Sequence, residues 1–295
     1  MTARVRLLSR GDFPFAVALT DTERWGFTVE DFARFLDLSP EGCFVVEHEG
    51  DPAGLLTTFL YGRVGWIGNV IVSARVRGRN LGAALLDHAI GYLEARGARA
   101  IRLWAYEDTV ALYEKLGFVG DNLDSRRWTG FGHQMHVAPP PVLPRGCDVF
   151  PLNAITLKQV IPLDLRFFGA DRSWVLERAV RDNPNASFVA RNAESEPVGL
   201  IITKGSPKGC EVGPWVVDPV DSSWAIPALL EAVLHRLAGQ SVELGVYGRR
   251  DDVQGWLVEH GFQSGFRTVR MTRGDPKAAV ENVAGICAIG GLEKG

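Results

Sequence analysis

The sequence predicts an α/β chain, with helices packed on mixed sheets, made of two domains of one design. Three observations predict it. A β-branched run, Val70-Ile71-Val72, passes through a glycine-bearing turn into a helical pattern that Gly97 stops. A proline cluster, Pro139-Pro140-Pro141 and Pro144-Arg145-Gly146, interrupts the chain near its middle as a stiff, extended linker. Segments after the prolines repeat segments before them at a near-constant offset of about 145 residues, which is duplication of a whole domain rather than a short solenoid repeat. At 295 residues, the length itself favours two cores over one.

Taken in order, the first residues read as a strand. Residues 13–19 and 29–38 carry helical periodicity and flank a linker, Thr22-Glu23-Arg24-Trp25-Gly26-Phe27. Residues 43–47 and 53–60 alternate as a hairpin around Glu49-Gly50-Asp51, and residues 64–72 form a third strand. Beyond the turn, Leu81, Ala84, Leu85, Ala89, Tyr92 and Leu93 recur at three- and four-residue spacing, the mark of an amphipathic helix. Residues 100–104 read as a strand, and residues 127–137 as the last strand of this half. His133 and His136 lie on it at an odd separation, which turns them to opposite faces and excludes a metal pair.

These signals divide the chain into residues 1–137, a linker at 138–147, and a second domain at 148–295. Cys43-Phe-Val-Val matches Ser187-Phe-Val-Ala, and Pro52-Ala-Gly-Leu-Leu matches Pro197-Val-Gly-Leu-Ile. Ile67-Gly-Asn-Val-Ile-Val matches Val212-Gly-Pro-Trp-Val-Val, and Gly117-Phe118 matches Gly261-Phe262.

Composition narrows the function. A hydrophobic content of 46% with 23% charged residues is that of an ordinary globular protein, and the net charge of −3 gives no basic surface for nucleic acid or an anionic membrane. No apolar run reaches the roughly 18 residues that span a bilayer, and the N-terminus lacks a signal-peptide layout. Cys43, Cys147, Cys210 and Cys287 have no metal-ligand spacing, so free thiols in the cytoplasm are expected.

Against that mildly acidic background, Arg75, Arg77 and Arg79 form a local cation cluster at a strand-to-helix turn. Such a turn aims the unpaired first N–H groups of the helix, and the positive end of its dipole, at an anion such as pyrophosphate. No Lys-Ser/Thr follows the glycines, and there is no G-x-G-x-x-G, so neither common nucleotide loop is present. Arg77-Gly78-Arg79-Asn80-Leu81-Gly82 resembles the Q/R-x-x-G-x-G/A loop of the GNAT acyltransferases, with Asn80 in place of the middle glycine. Asn is the residue that best replaces glycine in left-handed backbone. Leu112-Tyr113-Glu114-Lys115-Leu116-Gly117-Phe118 resembles the L-Y-x-K-x-G-F of the same family. The second half, through Leu163-Asp-Leu-Arg-Phe-Phe-Gly-Ala-Asp-Arg172 and Ala288-Ile-Gly-Gly-Leu-Glu-Lys294, resembles the C-terminal GNAT-like domain of tandem acetyltransferases.

The resemblance implies two tandem GNAT-like domains and direct transfer of acetyl from acetyl-CoA to an amine, without a metal. It implies that Val70, Ile71 and Val72 hold the pantetheine arm, that Arg77, Gly78, Arg79, Asn80, Leu81, Gly82 and Ala83 hold the pyrophosphate, and that Tyr113 protonates the leaving thiolate. Read without it, Tyr113 is an aromatic core residue beside Leu112 and Leu116. Trp25 and Phe27 fall in the linker that lines the family's acceptor pocket, or else they are lids of the core.

Residues 64–72 hold no Asp or Glu, so the base stays unassigned among Asp21, Glu23, Glu47, Asp164, Asp171 and water. Aligning Leu85-Leu86 on Leu229-Leu230 sets Asp221-Ser222-Ser223-Trp224 on the phosphate loop and Leu257 on Tyr113. The second repeat is therefore expected to keep the fold without binding coenzyme, and to help form the acceptor site or an interface. The expected partner is a small-molecule or peptide amine, with no nucleic acid or membrane, and a homodimer is open. A non-catalytic acyl-CoA sensor or scaffold is the competing class.

Overall fold

The structure, a computed structural model, describes residues 3–132, 141–206, 209–220, 222–278 and 281–295. Its first elements are β1 (Arg4–Leu7), α1 (Phe13–Asp21), α2 (Val29–Leu38), β2 (Cys43–His48), β3 (Asp51–Tyr61), β4 (Val64–Val72), α3 (Leu81–Ala95), β5 (Ala100–Tyr106), α4 (Val110–Glu114) and β6 (Val119–Phe131). There follow β7 (Asp148–Pro151), α5 (Ala154–Phe168), α6 (Ser173–Asp182), β8 (Phe188–Arg191), β9 (Pro197–Ser206), β10 (Gly209–Val217), α7 (Ala225–Arg236), β11 (Ser241–Tyr247), α8 (Asp251–Glu259), β12 (Gln263–Gly274) and β13 (Ile286–Ala288).

The chain forms two compact units. The first takes Met1–Asp121, Arg270–Ala279 and Leu292–Gly295; the second takes Asn122–Val269 and Val280–Gly291. These units differ from the ranges 1–137 and 148–295 read from the sequence. The strand expected at residues 127–137 begins at Val119, and from Asn122 onward it belongs to the second unit. Its partner explains this: Ser125 to Phe131 pair antiparallel with Tyr247 to Ser241 of β11. Conversely, the end of β12 returns to the first unit, where Met271 is fully buried in the core. His133, His136, Pro139, Pro140 and Asp221 lie outside the described residues.

In the first unit the strand order is β1-β2-β3-β4-β5-β12. β1 to β4 are joined antiparallel, and β4 and β5 run parallel, as expected for strands connected through a helix. That helix, α3, buries Leu81, Leu85, Leu86, Ala89 and Leu93 against Phe44, Leu56, Ile67, Ile101 and Leu103. α2 starts at a capping box: Thr28 Oγ1 accepts from the Asp31 N–H at 3.2 Å, and Thr28 N donates to the Asp31 carboxylate at 3.0 Å. Its apolar side buries Phe32 and Phe35 completely. Near the start of the chain, Arg6 donates two hydrogen bonds to Asp12 at 2.8 and 2.7 Å.

In the second unit β7 to β10 follow the antiparallel plan of β1 to β4, with α5 and α6 preceding β8 as α1 and α2 precede β2. α5 is capped by Asn153, whose side chain accepts from Ile155 and Thr156, and stops at Gly169, which takes left-handed backbone (φ 82°). Among the described residues no helix is long and apolar enough to cross a membrane.

Candidate functional site

The strand-turn-helix singled out in the sequence is present. β4 ends at Val72, and α3 begins at Leu81 with Asn80 at its N-cap in left-handed backbone (φ 61°, ψ 15°). Gly78 is also left-handed, at φ 80°. Asn80 makes no side-chain capping hydrogen bond, and the helix ladder opens with Ala84 N–H to Asn80 O at 3.0 Å. The N–H groups of Leu81, Gly82 and Ala83 thus precede the ladder and carry the positive end of the dipole. A Cβ on Gly82 would meet only Val72 Cγ2, at 3.7 Å, so its own chain does not demand a glycine there.

Arg77 anchors the loop: its Nε donates to the Val72 carbonyl at 3.0 Å and its Nη2 to Glu23 at 2.5 Å. Arg75, Arg77, Gly78, Arg79 and Asn80 are exposed, while Ile71 and Leu81 are buried and Val70, Val72, Gly82 and Ala83 are half-buried. The arrangement fits a pyrophosphate: exposed cations around uncapped amides, at the end of a buried strand.

β4 and β5 pair from Val64 opposite Ala100 to Trp66 opposite Arg102, while β4 runs on to Val72 and β5 to Tyr106. Asn69 (φ 54°) marks the point where the β3 register slips, between Gly68 opposite Thr57 and Ile71 opposite Leu55. A bulge of this kind re-aims backbone groups of the strand toward whatever lies beside it. Tyr113, on α4, is buried in the same core as Ile67, Leu81 and Leu103, edge-on to Phe118 at 6.0 Å. Burial, and then neighbouring Tyr106, pushes its hydroxyl up to about 12, so it carries its proton at neutral pH.

Trp25 and Phe27 are half-buried and continue an aromatic cluster: Phe27 meets Trp25, Phe32 and Phe35 edge-on at 6.2, 6.0 and 5.5 Å, and Phe35 meets Phe59 at 6.4 Å. Several carboxylates weighed as bases are engaged elsewhere. Glu47 binds Arg6 at 2.6 Å, Glu23 holds Arg77, and Asp164 is buried against Arg172 at 2.8 Å. Asp171 caps Ser173 N–H at 2.9 Å.

The second unit treats the same place differently. β10 and β11 pair from Cys210 opposite Val242 to Val212 opposite Leu244, and its bulge, at Gly213-Pro214, matches Gly68-Asn69. Beyond that point β13 enters between them: Ala288 pairs with both Trp215 and Val246, and Ile289 N–H donates to Gly245 O at 2.9 Å. Leu257 is fully buried where the first unit has Tyr113. Sequence reasoning missed the roles of β13 and of residues 292–295. The only signal for them was the closing stretch, Ala288 to Lys294, noted for its resemblance alone.

The model of the Acetyltransferase (GNAT) family matches residues 13–118, and that of an Acetyltransferase (GNAT) domain matches residues 160–283. An uncharacterized N-acetyltransferase of Bacillus subtilis, YitH, is 26% identical over 183 residues, which span 62% of this chain and 62% of that protein. A solved chain from Pyrococcus horikoshii shares the fold with a TM-score of 0.80 at 21% identity, over 99% of this chain and 96% of that one. A tandem GNAT protein from the clavulanic acid biosynthesis pathway matches with a TM-score of 0.65 at 17% identity, covering 95% of this chain and 100% of that one.

Proposed function

The chain belongs to the GNAT acetyltransferase family through both of its halves, and we propose that its first unit transfers acetyl from acetyl-CoA to a primary amine. GNAT acetyltransferases use acetyl-CoA generally. For this chain the observation that carries the reading is the pairing of one intact and one altered repeat. The first unit has left-handed Gly78 and Asn80 leading into uncapped helical amides, with Tyr113 buried and protonated. The second has β13 between its diverging strands and Leu257 in place of the tyrosine.

In this reading Arg77, Arg79 and the amides of Leu81, Gly82 and Ala83 hold the pyrophosphate. Backbone groups of Val70, Ile71 and Val72 hold the pantetheine arm and polarise the thioester carbonyl, an effect typically worth ~3 kcal/mol. Tyr113 supplies the proton that the departing sulfur needs. A site that only bound acyl-CoA would gain nothing from a proton-donating hydroxyl at that spot, which favours turnover over a sensor or scaffold role. The aromatic cluster from Trp25 to Phe59 supports an acceptor with apolar character, a small molecule or a peptide amine. The second unit serves to shape the acceptor site or an interface, including one between two copies of the chain, and does not bind coenzyme. Metal and nucleic acid have no part in the reading, and a cytoplasmic enzyme is the form it takes.

The test is release of free thiol from acetyl-CoA, with and without tyramine, tryptamine, phenylalanine, spermidine, glucosamine and a short peptide with a free amino terminus. Amine-dependent release together with an N-acetylated product seen by mass spectrometry is expected. Binding of acetyl-CoA without any amine-dependent release would favour the sensor instead.

A further inference from the structure

β4 lacks an acidic residue, yet the first unit lays a glutamate from elsewhere in the chain against it. Residues 292–295 belong to this unit and lie directly on the strand. A Cβ built on Gly68 would stand 2.3 Å from Glu293 Cα, 2.5 Å from its Cβ and 2.8 Å from its carbonyl oxygen. One built on Gly295 would stand 2.6 Å from the Trp66 ring. Real side chains never come so close, so Gly68 is a glycine because Glu293 occupies the space of its side chain.

The face is identifiable from the alternation of the strand. Gly65 turns toward Leu93 of α3, and Ile67 joins the α3 core. Trp66 and Gly68 therefore face the other way, with Phe59, which pairs with Trp66 and meets Phe35 of α2. Glu293 thus lies on the side of the aromatic cluster from Trp25 to Phe59. It is also beside the point where β4 bulges and parts from β5. Glu293 and Lys294 are both nearly fully buried, at 5% and 6% exposure, and Lys294 Nζ donates to Glu293 Oε1. Arg102, paired with Trp66 across the ladder, shares that face. Burying an ion pair is seldom a route to stability, so its presence beside a split strand calls for another reason.

We propose that Glu293 is the proton acceptor for the incoming amine, with Lys294, which donates to Glu293 Oε1, as its positioning residue. The proposal rests on reading the first unit as an N-acetyltransferase. In the step, the amine nitrogen bonds to the acetyl carbon and its proton passes to the Glu293 carboxylate. The carbon–sulfur bond breaks, and the sulfur takes the proton of the Tyr113 hydroxyl. The net change moves one proton from nitrogen to sulfur, and exchange with water restores both side chains.

The experiment uses the full chain, acetyl-CoA and the amine panel named above. With the best amine, Glu293→Gln should lower kcat by ~10²–10⁴-fold and leave the acetyl-CoA dissociation constant within about twofold. Glu293→Asp should restore part of the loss. Lys294→Met, which removes the Nζ that donates to Glu293 Oε1, should lower kcat about tenfold or more while the acetyl-CoA dissociation constant stays within about twofold, a split that a purely structural role would not produce. Should Glu293→Gln fail to fold, the Asp variant and the Lys294→Met kinetics decide. Turnover by Glu293→Gln within about twofold of wild type, or an unchanged kcat in Lys294→Met, overturns the proposal alone. Wild type that binds acetyl-CoA but shows no amine-dependent thiol release overturns the acetyltransferase reading, and this proposal with it.

Discussion

Gly82→Asp separates binding from folding at the phosphate loop. Gly82 has ordinary helical backbone in the first turn of α3, and a Cβ there would make only a van der Waals contact with Val72, at 3.7 Å. The new side chain therefore fits without strain. A carboxylate in the first turn also opposes the helix dipole favourably, by about 0.3–1 kcal/mol, and Asp is a better helix former than Gly. The melting temperature should stay level or rise slightly.

Toward a pyrophosphate the sign reverses. One like-charge pair at about 4 Å costs about 1 kcal/mol in water and about 4 kcal/mol at an effective dielectric of 20. For a loop this exposed, a total of ~2–4 kcal/mol is the fitting range, which is about 30- to 10³-fold in affinity. Calorimetric titration of acetyl-CoA, beside thermal unfolding of the same samples, reads both quantities. Gly82→Ala, which fits the same space without charge, should bind nearly as wild type does. If Gly82→Asp bound acetyl-CoA as wild type does, the pyrophosphate would have to sit elsewhere, and the whole assignment of residues 77–83 would fall.

Further outcomes follow from other residues. Tyr113→Phe keeps the ring that meets Phe118 and removes only the proton donor, so kcat should drop by ~10²–10⁴-fold while the acetyl-CoA dissociation constant changes little; activity within about twofold would return Tyr113 to the core. The same hydroxyl, raised from 10 to about 12 by burial, favours the folded state below pH 10, and that contribution is lost as pH rises through 12. Stability of wild type relative to Tyr113→Phe should accordingly fall by up to about 3 kcal/mol between pH 9 and pH 12, read by urea unfolding at each pH. Asp12 runs the opposite way. The hydrogen-bonded Arg6 guanidinium, helped by Ser9, holds its carboxyl down at about 2 against an ordinary 3.8. The pair contributes about 2 kcal/mol above pH 3.8, lost as pH falls through 2, so Asp12→Asn should cost about that much at pH 7 and little near pH 2. A cost independent of pH would mean that packing, not charge, is what Asp12 supplies.

The elements of the first half were legible wherever a local pattern decided them. α2 and β4 occupy residues 29–38 and 64–72 as periodicity and β-branching predict, because capping at Thr28 and burial on one face act within a few residues. The left-handed backbone at Asn80 was legible for the same reason, since tolerance of that region is a property of the residue itself. The start of β6, at Val119, was not. Residues 125–131 owe their place to β11, more than a hundred positions away, and nothing local in their sequence records that partner.

β13 and Glu293 were illegible in another way. Ile286-Cys287-Ala288 is a three-residue strand whose only reason to be extended is the split between β10 and β11. Glu293 looks like any charged residue of a loop until Gly68 is seen beneath it. The pairing of Glu23 with Arg77, and of Asp164 with Arg172, was equally invisible to spacing alone.

The division of labour between the repeats is the central claim, and the stoichiometry of coenzyme binding tests it most directly. Titration calorimetry of the full chain with acetyl-CoA should give one site per chain, weakened about 30- to 10³-fold by Gly82→Asp in the first repeat. Two sites per chain, or one site whose affinity Gly82→Asp leaves unchanged, would place coenzyme in the second unit despite β13 and Leu257 and would contradict the account.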